Sequence, residues 1–202
     1  IETSFNFLDE GFYNFNNSSI PEFFNITKSI KVLKFFLEQI LTNINVPEFR
    51  SKIYIRREDA NYRKILNEAD LITILRKKGY EIINPQHFDI LEQMKIFSNA
   101  KVIISPHGSN MSNIIFCQKN TKILEISPEL NNEYEQNISS RYKNIADNLN
   151  LEFQTIKADS VDVDNHSELS VKYIHPKILK NSNYYKNMIL KISEIEKKLN
   201  NL

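Results

Sequence analysis

Between Lys52 and Ile156 the chain alternates short apolar runs with longer amphipathic ones, and this alternation restricts its fold more than any other feature. Lys52–Ile55, Glu81–Asn84, Val102–Ser105, Lys122–Ile126 and Leu151–Ile156 are too short for helices and read as strands. Helical periods stand between them: Leu71, Ile72 and Leu75 within Glu68–Lys78, then Ile90, Leu91, Met94 and Phe97, then a short helix over Ser109–Phe116. Tyr134, Ile138, Arg141, Tyr142, Ile145 and Leu149 mark a fourth. Strands separated by helices need crossover connections, so the expected fold is α/β, a doubly wound, mainly parallel sheet with helices on both faces. Ligands bind such sheets outside the carboxyl ends of the strands.

Local punctuation supports these boundaries. Gly79 is placed to stop the helix before it, and Asp89 with Glu92 forms a capping pair at the start of the next. Residues 1–27 are aromatic and Asn-rich without a period, and read as a lead-in or linker from an upstream lobe, or as an edge strand and loop. Ile30, Leu33, Leu37, Ile40, Leu41 and Ile44 then predict a helix closed by Pro47, so residues 28–202 form the expected domain. Residues 157–182 are polar. Tyr185, Met188, Ile192, Ile195 and Leu199 step by three and four, predicting a C-terminal helix over 184–202. A start at Ile1 suggests a piece of a longer protein.

The totals remove several classes of function. A net charge of +1 argues against a nucleic-acid surface or a polybasic membrane patch, so an anionic ligand must be recognised by a few placed groups. The chain carries no apolar run long enough to cross a bilayer. One cysteine, Cys117, makes neither an internal disulfide nor a zinc site and reads as packing. Three glycines cannot supply a dinucleotide fingerprint or a phosphate-binding P-loop, and without a hydrolase elbow Ser109 is a poor nucleophile. Asp162-Val163-Asp164 has the form of a metal-holding pair but falls in a polar stretch and reads as solvated loop. His166 and His175 show no ligand spacing, and His87 belongs at the surface.

Three stretches carry chemistry. In the first, Ile103-Ile104-Ser105 runs into Pro106-His107-Gly108 and at once into a helix start. Gly108 permits a tight turn and a close ligand approach, Ser109 or Asn110 can cap the helix, and free amides there suit a phosphate. His107 can donate to a phosphate or hydroxyl oxygen. The same pattern also fits an ordinary turn with a satisfied histidine. In the second, Arg56, Arg57 and Arg63 follow the end of an early strand, where a guanidinium fork suits phosphate oxygens and a solvated charged loop is the plainer alternative. In the third, Glu125 interrupts Ile123-Leu124-Glu125-Ile126. A charge there must be paired or bound, either by ribose hydroxyls or by an arginine.

In order, Tyr54-x-x-Arg57 with Arg63 and Asn67-Glu68, Glu92-Gln93 with Ala100, the run from His107 through Asn113 to Phe116, and Leu124-Glu125-Ile126 resemble glycosyltransferase family 61. Arg56 and Ser109 depart from residues common there, without removing a donor group. The resemblance implies a GT-B architecture, of which this chain is one Rossmann-like lobe, and inverting transfer from a nucleotide-sugar donor, UDP-linked, to a glycan or polysaccharide hydroxyl. It implies no metal. By position, Arg57, Arg63, Asn67, Glu68, Gly108, Ser109, Asn110, Asn113 and Glu125 would hold the donor and His107 would assist catalysis. No residue here is a convincing base, so an upstream lobe is expected to supply it. The implied setting is bacterial cell-surface or capsule polysaccharide assembly in the cytoplasm, peripheral to the membrane, or a Golgi or endoplasmic-reticulum lumen in a eukaryote. The competing reading is a non-catalytic nucleotide-sugar-binding or scaffolding module.

Overall fold

A computed structural model describes residues 51–58, 60, 62–130, 135–136, 140–162 and 182–200. The expected lead-in at 1–27, the helix at 30–44, Tyr134, Ile138, Asp164, His166 and His175 lie outside the described residues.

Six strands form the sheet: β1 Lys52–Ile55, β2 Glu81–Ile83, β3 Val102–Pro106, β4 Lys122–Pro128, β5 Glu152–Val161 and β6 Asn187–Ile189. Among the described residues the α-helices that accompany them are α1 Glu68–Lys77, α2 Ile90–Asn99, α3 Arg141–Leu149 and α4 Ile192–Leu199. The strand order is β2-β1-β3-β4-β5-β6, with every pairing parallel except β5 with β6. The mixed α/β, mostly parallel sheet expected from the alternation is therefore present.

Alternate strand residues point to opposite faces, and the core divides accordingly. Ile53, Ile55, Ile103 and Ile123 pack with Phe97 of α2, Met111 and Ile114, and Ala146 and Leu149 of α3. Tyr54, Ile104, Leu124 and Ile126 face the other way, onto Leu71 and Leu75 of α1 and Ile195 and Leu199 of α4. Cys117 is buried in the first cluster, as packing.

The helix ends follow from local chemistry. Helix α1 carries Glu68 and Asp70 in its first turn and Arg76 and Lys77 in its last, complementing its dipole. Gly79 takes φ 81°, and the amides of Gly79 and Tyr80 bond back to Arg76 and Leu75, a left-handed stop that glycine makes without steric cost. The Asp89–Glu92 capping box is complete at α2. Among the described residues no helix is long and apolar enough to cross a membrane.

Four expectations need correction. The C-terminal helix does not begin at 184: Asn183–Tyr185 is a 3-10 turn, Asn187–Ile189 is a strand, and helix starts only at Ile192. Hydrogen bonds of Met188 to the main chain of Lys64 and Leu66 hold that strand and override the helical period. The short helix expected at Ser109–Phe116 is present as a 3-10 helix, but Gly108 stands at its start and neither Ser109 nor Asn110 caps it. Strand β5 runs on to Val161, into the stretch read as polar loop. Ile90 and Leu91 lie on the exposed side of α2, and Ile96 takes the inward position instead.

Candidate functional site

The strand order reverses at β1: β2 lies on one side of it and β3 on the other. From β1 the chain passes to α1 on one face, and from β3 to the 3-10 segment on the other. Connections diverging from adjacent parallel strands open a crevice at their carboxyl ends, the usual ligand position in such sheets. Arg56 and Arg57 leave β1 there, and His107 and Gly108 leave β3. A cleft of about 260 Å³ at this edge is lined by Arg56, Arg57, Arg63, Lys64, Glu68 and Pro106, among others.

His107 and Glu125 form the buried centre, 1% and 3% exposed. Parallel pairing of Ser105 with Glu125 sets the register, and the amide of His107 donates to the carbonyl of Ile126 at 2.7 Å. This brings His107 Nδ1 to 2.6 Å from Glu125 Oε1, while Thr155 on β5 donates to Oε2 at 3.3 Å. Among the described residues Glu125 thus meets no arginine; its partners are a histidine and a threonine. The second ring nitrogen, Nε2, lies 3.2 Å from the hydroxyl of Tyr184. A carboxylate can only accept, so Nδ1 carries the hydrogen and Nε2 accepts from the phenol. Burial, ahead of the opposing effect of Glu125, lowers the pKa of His107 below its ordinary value. Both ring nitrogens are engaged, so His107 has none to offer a ligand in this arrangement. Its carbonyl accepts from Arg57 Nη1 at 2.9 Å.

The arginines divide into two kinds. Arg56 is neutralised by Glu58 and by Glu68, whose Oε2 accepts from Nη2 at 2.9 Å and from Nε at 3.3 Å. Glu68 Oε1 accepts from the buried hydroxyl of Tyr54 at 2.8 Å. Arg57 has no carboxylate partner among the described residues; burial, then the nearby charge of Arg63, pushes its pKa down to about 10. Arg63 is only 5% exposed, takes the left-handed φ of 56°, and lies between the rings of Tyr62 and Tyr184, at 4.8 and 4.4 Å from their centroids. Its Nε and Nη1 are buried without a hydrogen-bond partner among the described residues. A strained backbone and unmet buried donors are costly, and they concentrate at functional sites.

The remaining candidates are placed as follows. Gly108 is extended at φ 173°, and its lack of a Cβ admits a side chain: a methyl there would stand 2.9 Å from Arg57 Nε. Asn67 is committed to the main chain of Leu190, donating to its carbonyl at 2.9 Å and accepting from its amide at 3.0 Å. Asn113 donates to Gln93 at 2.8 Å, tying the 3-10 segment to α2. Asn110 reaches the carbonyl of Arg56 at 3.5 Å, and Ser109 is exposed. Asp162 is exposed beside Lys186, and His87 is exposed. Tyr62, Tyr184 and Thr155 escaped the sequence reading. Tyr62 adjoins Arg63 in sequence, but nothing local marks Tyr184 or Thr155.

The sequence model of the family described as Glycosyltransferase 61 matches residues 8–124, more than half of the chain. The match takes in Arg56, Arg57 and Arg63 and the His107–Gly108 turn, and ends one residue before Glu125. No curated protein matches the chain.

Proposed function

The chain belongs to glycosyltransferase family 61, and on that premise we propose that it holds the diphosphate of a nucleotide-sugar donor between Arg57 and Arg63. The donor is UDP-linked, and the sugar passes with inversion to a glycan or polysaccharide hydroxyl. The observation that carries this reading is Arg63, a guanidinium with two buried donors unmet among the described residues, beside a second arginine that has no carboxylate partner among them, at the edge where β1 and β3 diverge. Two such cations suit the charge of a diphosphate, and a guanidinium fork suits its oxygens. They stabilise the negative charge that develops on the leaving nucleotide as the glycosidic bond breaks, and they do so without a metal. His107 contributes by position: its carbonyl holds Arg57 and its ring is fixed by Glu125. Helices on both sheet faces and the reversal of strand order support a doubly wound lobe of a GT-B enzyme, with the base for the acceptor hydroxyl supplied by the other lobe.

Calorimetric titration with UDP and GDP tests the reading. The wild-type chain is expected to bind UDP saturably, Arg57→Ala to lose that binding, and His107→Ala to weaken it. A folded chain that takes up neither nucleotide, or an Arg57→Ala variant that binds as wild type, would sink the reading. Binding with no transfer from UDP-sugars by the full-length protein would instead favour a non-catalytic module.

A further inference from the structure

Residues 182–190 are laced onto the loop that carries Arg63. The amide of Met188 donates to the carbonyl of Lys64 and that of Leu66 to Met188, both at 2.8 Å. Asn187 accepts from the amide of Lys64 at 3.0 Å, and Asn67 grips both main-chain groups of Leu190. At the head of this strap is Tyr184, nearly buried, lying beyond the stretch that the family model matches. Two different parts of its side chain reach two different residues. The hydroxyl meets His107 Nε2 at 3.2 Å, and the ring face lies 4.4 Å from the guanidinium carbon of Arg63. Tyr185 stands edge-on to both Tyr184 and Tyr62, so the three rings brace one another around Arg63.

We propose that Tyr184 is a positioning residue of the transferase site, its ring holding Arg63 toward the donor diphosphate and its hydroxyl fixing the imidazole of His107. The ring half rests on the diphosphate reading above; the hydroxyl half stands apart from it. An aromatic face supports a desolvated guanidinium without using its N–H donors, which leaves Nε and Nη1 free for phosphate oxygens. A carboxylate in that place would satisfy those donors and cancel the charge. The phenol donates to Nε2, stabilising the neutral imidazole whose Nδ1 hydrogen goes to Glu125.

The two halves separate by substitution. Tyr184→Phe removes the hydroxyl and keeps the ring; Tyr184→Met keeps approximate volume and removes the aromatic face. Imidazole nitrogen resonances of His107 in the 202-residue chain, followed against pH, read the first half. Among the described residues the charged and titratable groups around this ring are Glu125, Tyr184, Tyr142, Arg57, Arg63 and Arg141, and all but Tyr184 are unchanged in the Phe variant. Loss of a donor to Nε2 is expected to move the titration of His107 to higher pH. An unchanged titration would overturn the hydroxyl's role.

UDP titration reads the second half. Tyr184→Phe is expected to keep wild-type affinity within about twofold and Tyr184→Met to lose about tenfold, the scale of one buried cation–π contact. Equal affinities in all three proteins, or equal losses in both variants, would overturn the ring's role. If wild type binds no UDP, the diphosphate reading falls and the ring's role with it, while the His107 titration still judges the hydroxyl. Should Tyr184→Met fail to fold, a Phe variant that loses UDP as Arg57→Ala does would overturn the ring's role, and one that keeps it would support that role.

Discussion

Arg56 and Arg57 are neighbours in sequence at the end of the same strand, yet their surroundings are opposite. Arg56 meets two carboxylates, and Glu68 goes on to satisfy the buried hydroxyl of Tyr54, so charge and hydrogen bonds close within the protein. Arg57 meets a carbonyl, a tyrosine ring and the like charge of Arg63, whose own Nε and Nη1 have no partner among the described residues. Closed networks hold a fold together, whereas a buried donor left open costs roughly 1–3 kcal/mol. Selection for stability alone would remove such a group. The contrast therefore separates a brace, Arg56–Glu68–Tyr54, from the proposed diphosphate receptor, Arg57–Arg63, although Arg56 and Glu68 line the same cleft as the two receptor arginines.

The largest expected effect falls on the receptor. Arg63→Met should lose about a hundredfold in UDP affinity, equivalent to two charge-assisted hydrogen bonds. The same change should leave the thermal midpoint equal or higher, since it removes a buried charge that has no carboxylate partner among the described residues. Calorimetry and a melting curve on one sample check both. The brace should behave the other way. Glu68→Ala leaves the buried Tyr54 hydroxyl without its acceptor and Arg56 with Glu58 alone, costing about 1–3 kcal/mol in urea unfolding with UDP affinity held within about threefold.

Gly108→Ala sharpens the contrast further. The backbone at φ 173° suits any residue, so the fold should tolerate the change, but the added methyl stands 2.9–3.0 Å from Arg57 and displaces it. A loss of about five- to tenfold in UDP affinity is expected, comparable to disturbing one charged hydrogen bond. In a double-mutant cycle this loss should vanish on an Arg57→Ala background.

The smallest effect is on pH dependence. The pKa of His107 is lower in the folded chain than its unfolded value of about 6.5. Below pH 6.5 the unfolded chain therefore binds a proton that the folded chain refuses. Stability from this group is complete above that pH and is lost as pH falls toward the folded pKa. Unfolding midpoints at pH 7.5 and 5.5 should differ more in wild type than in His107→Gln.

Much of the fold was legible because its signals are local. Five apolar runs became five strands, Gly79 and the Asp89–Glu92 pair marked helix ends, and Cys117 was packing. The C-terminal segment misled because Met188, buried in a three-residue strand, falls in phase with the buried positions of α4. Only tertiary bonds to Lys64 and Leu66 separate the two. The residues gathered at this strand edge could be named from the sequence, but their contacts could not. Glu68 and Asn67 were read beside Arg57 and Arg63, and sequence cannot show that they are committed to Arg56 and Leu190. The pairing of His107 with Glu125 depends on strand register, and the contribution of Tyr184 depends on a contact across 77 residues.

The most direct test of the division between brace and receptor is UDP titration into Arg56→Met and Arg63→Met side by side, each confirmed folded. The account predicts near-wild-type affinity for Arg56→Met and about a hundredfold loss for Arg63→Met. Equal losses in the two, or a greater loss in Arg56→Met, would contradict it.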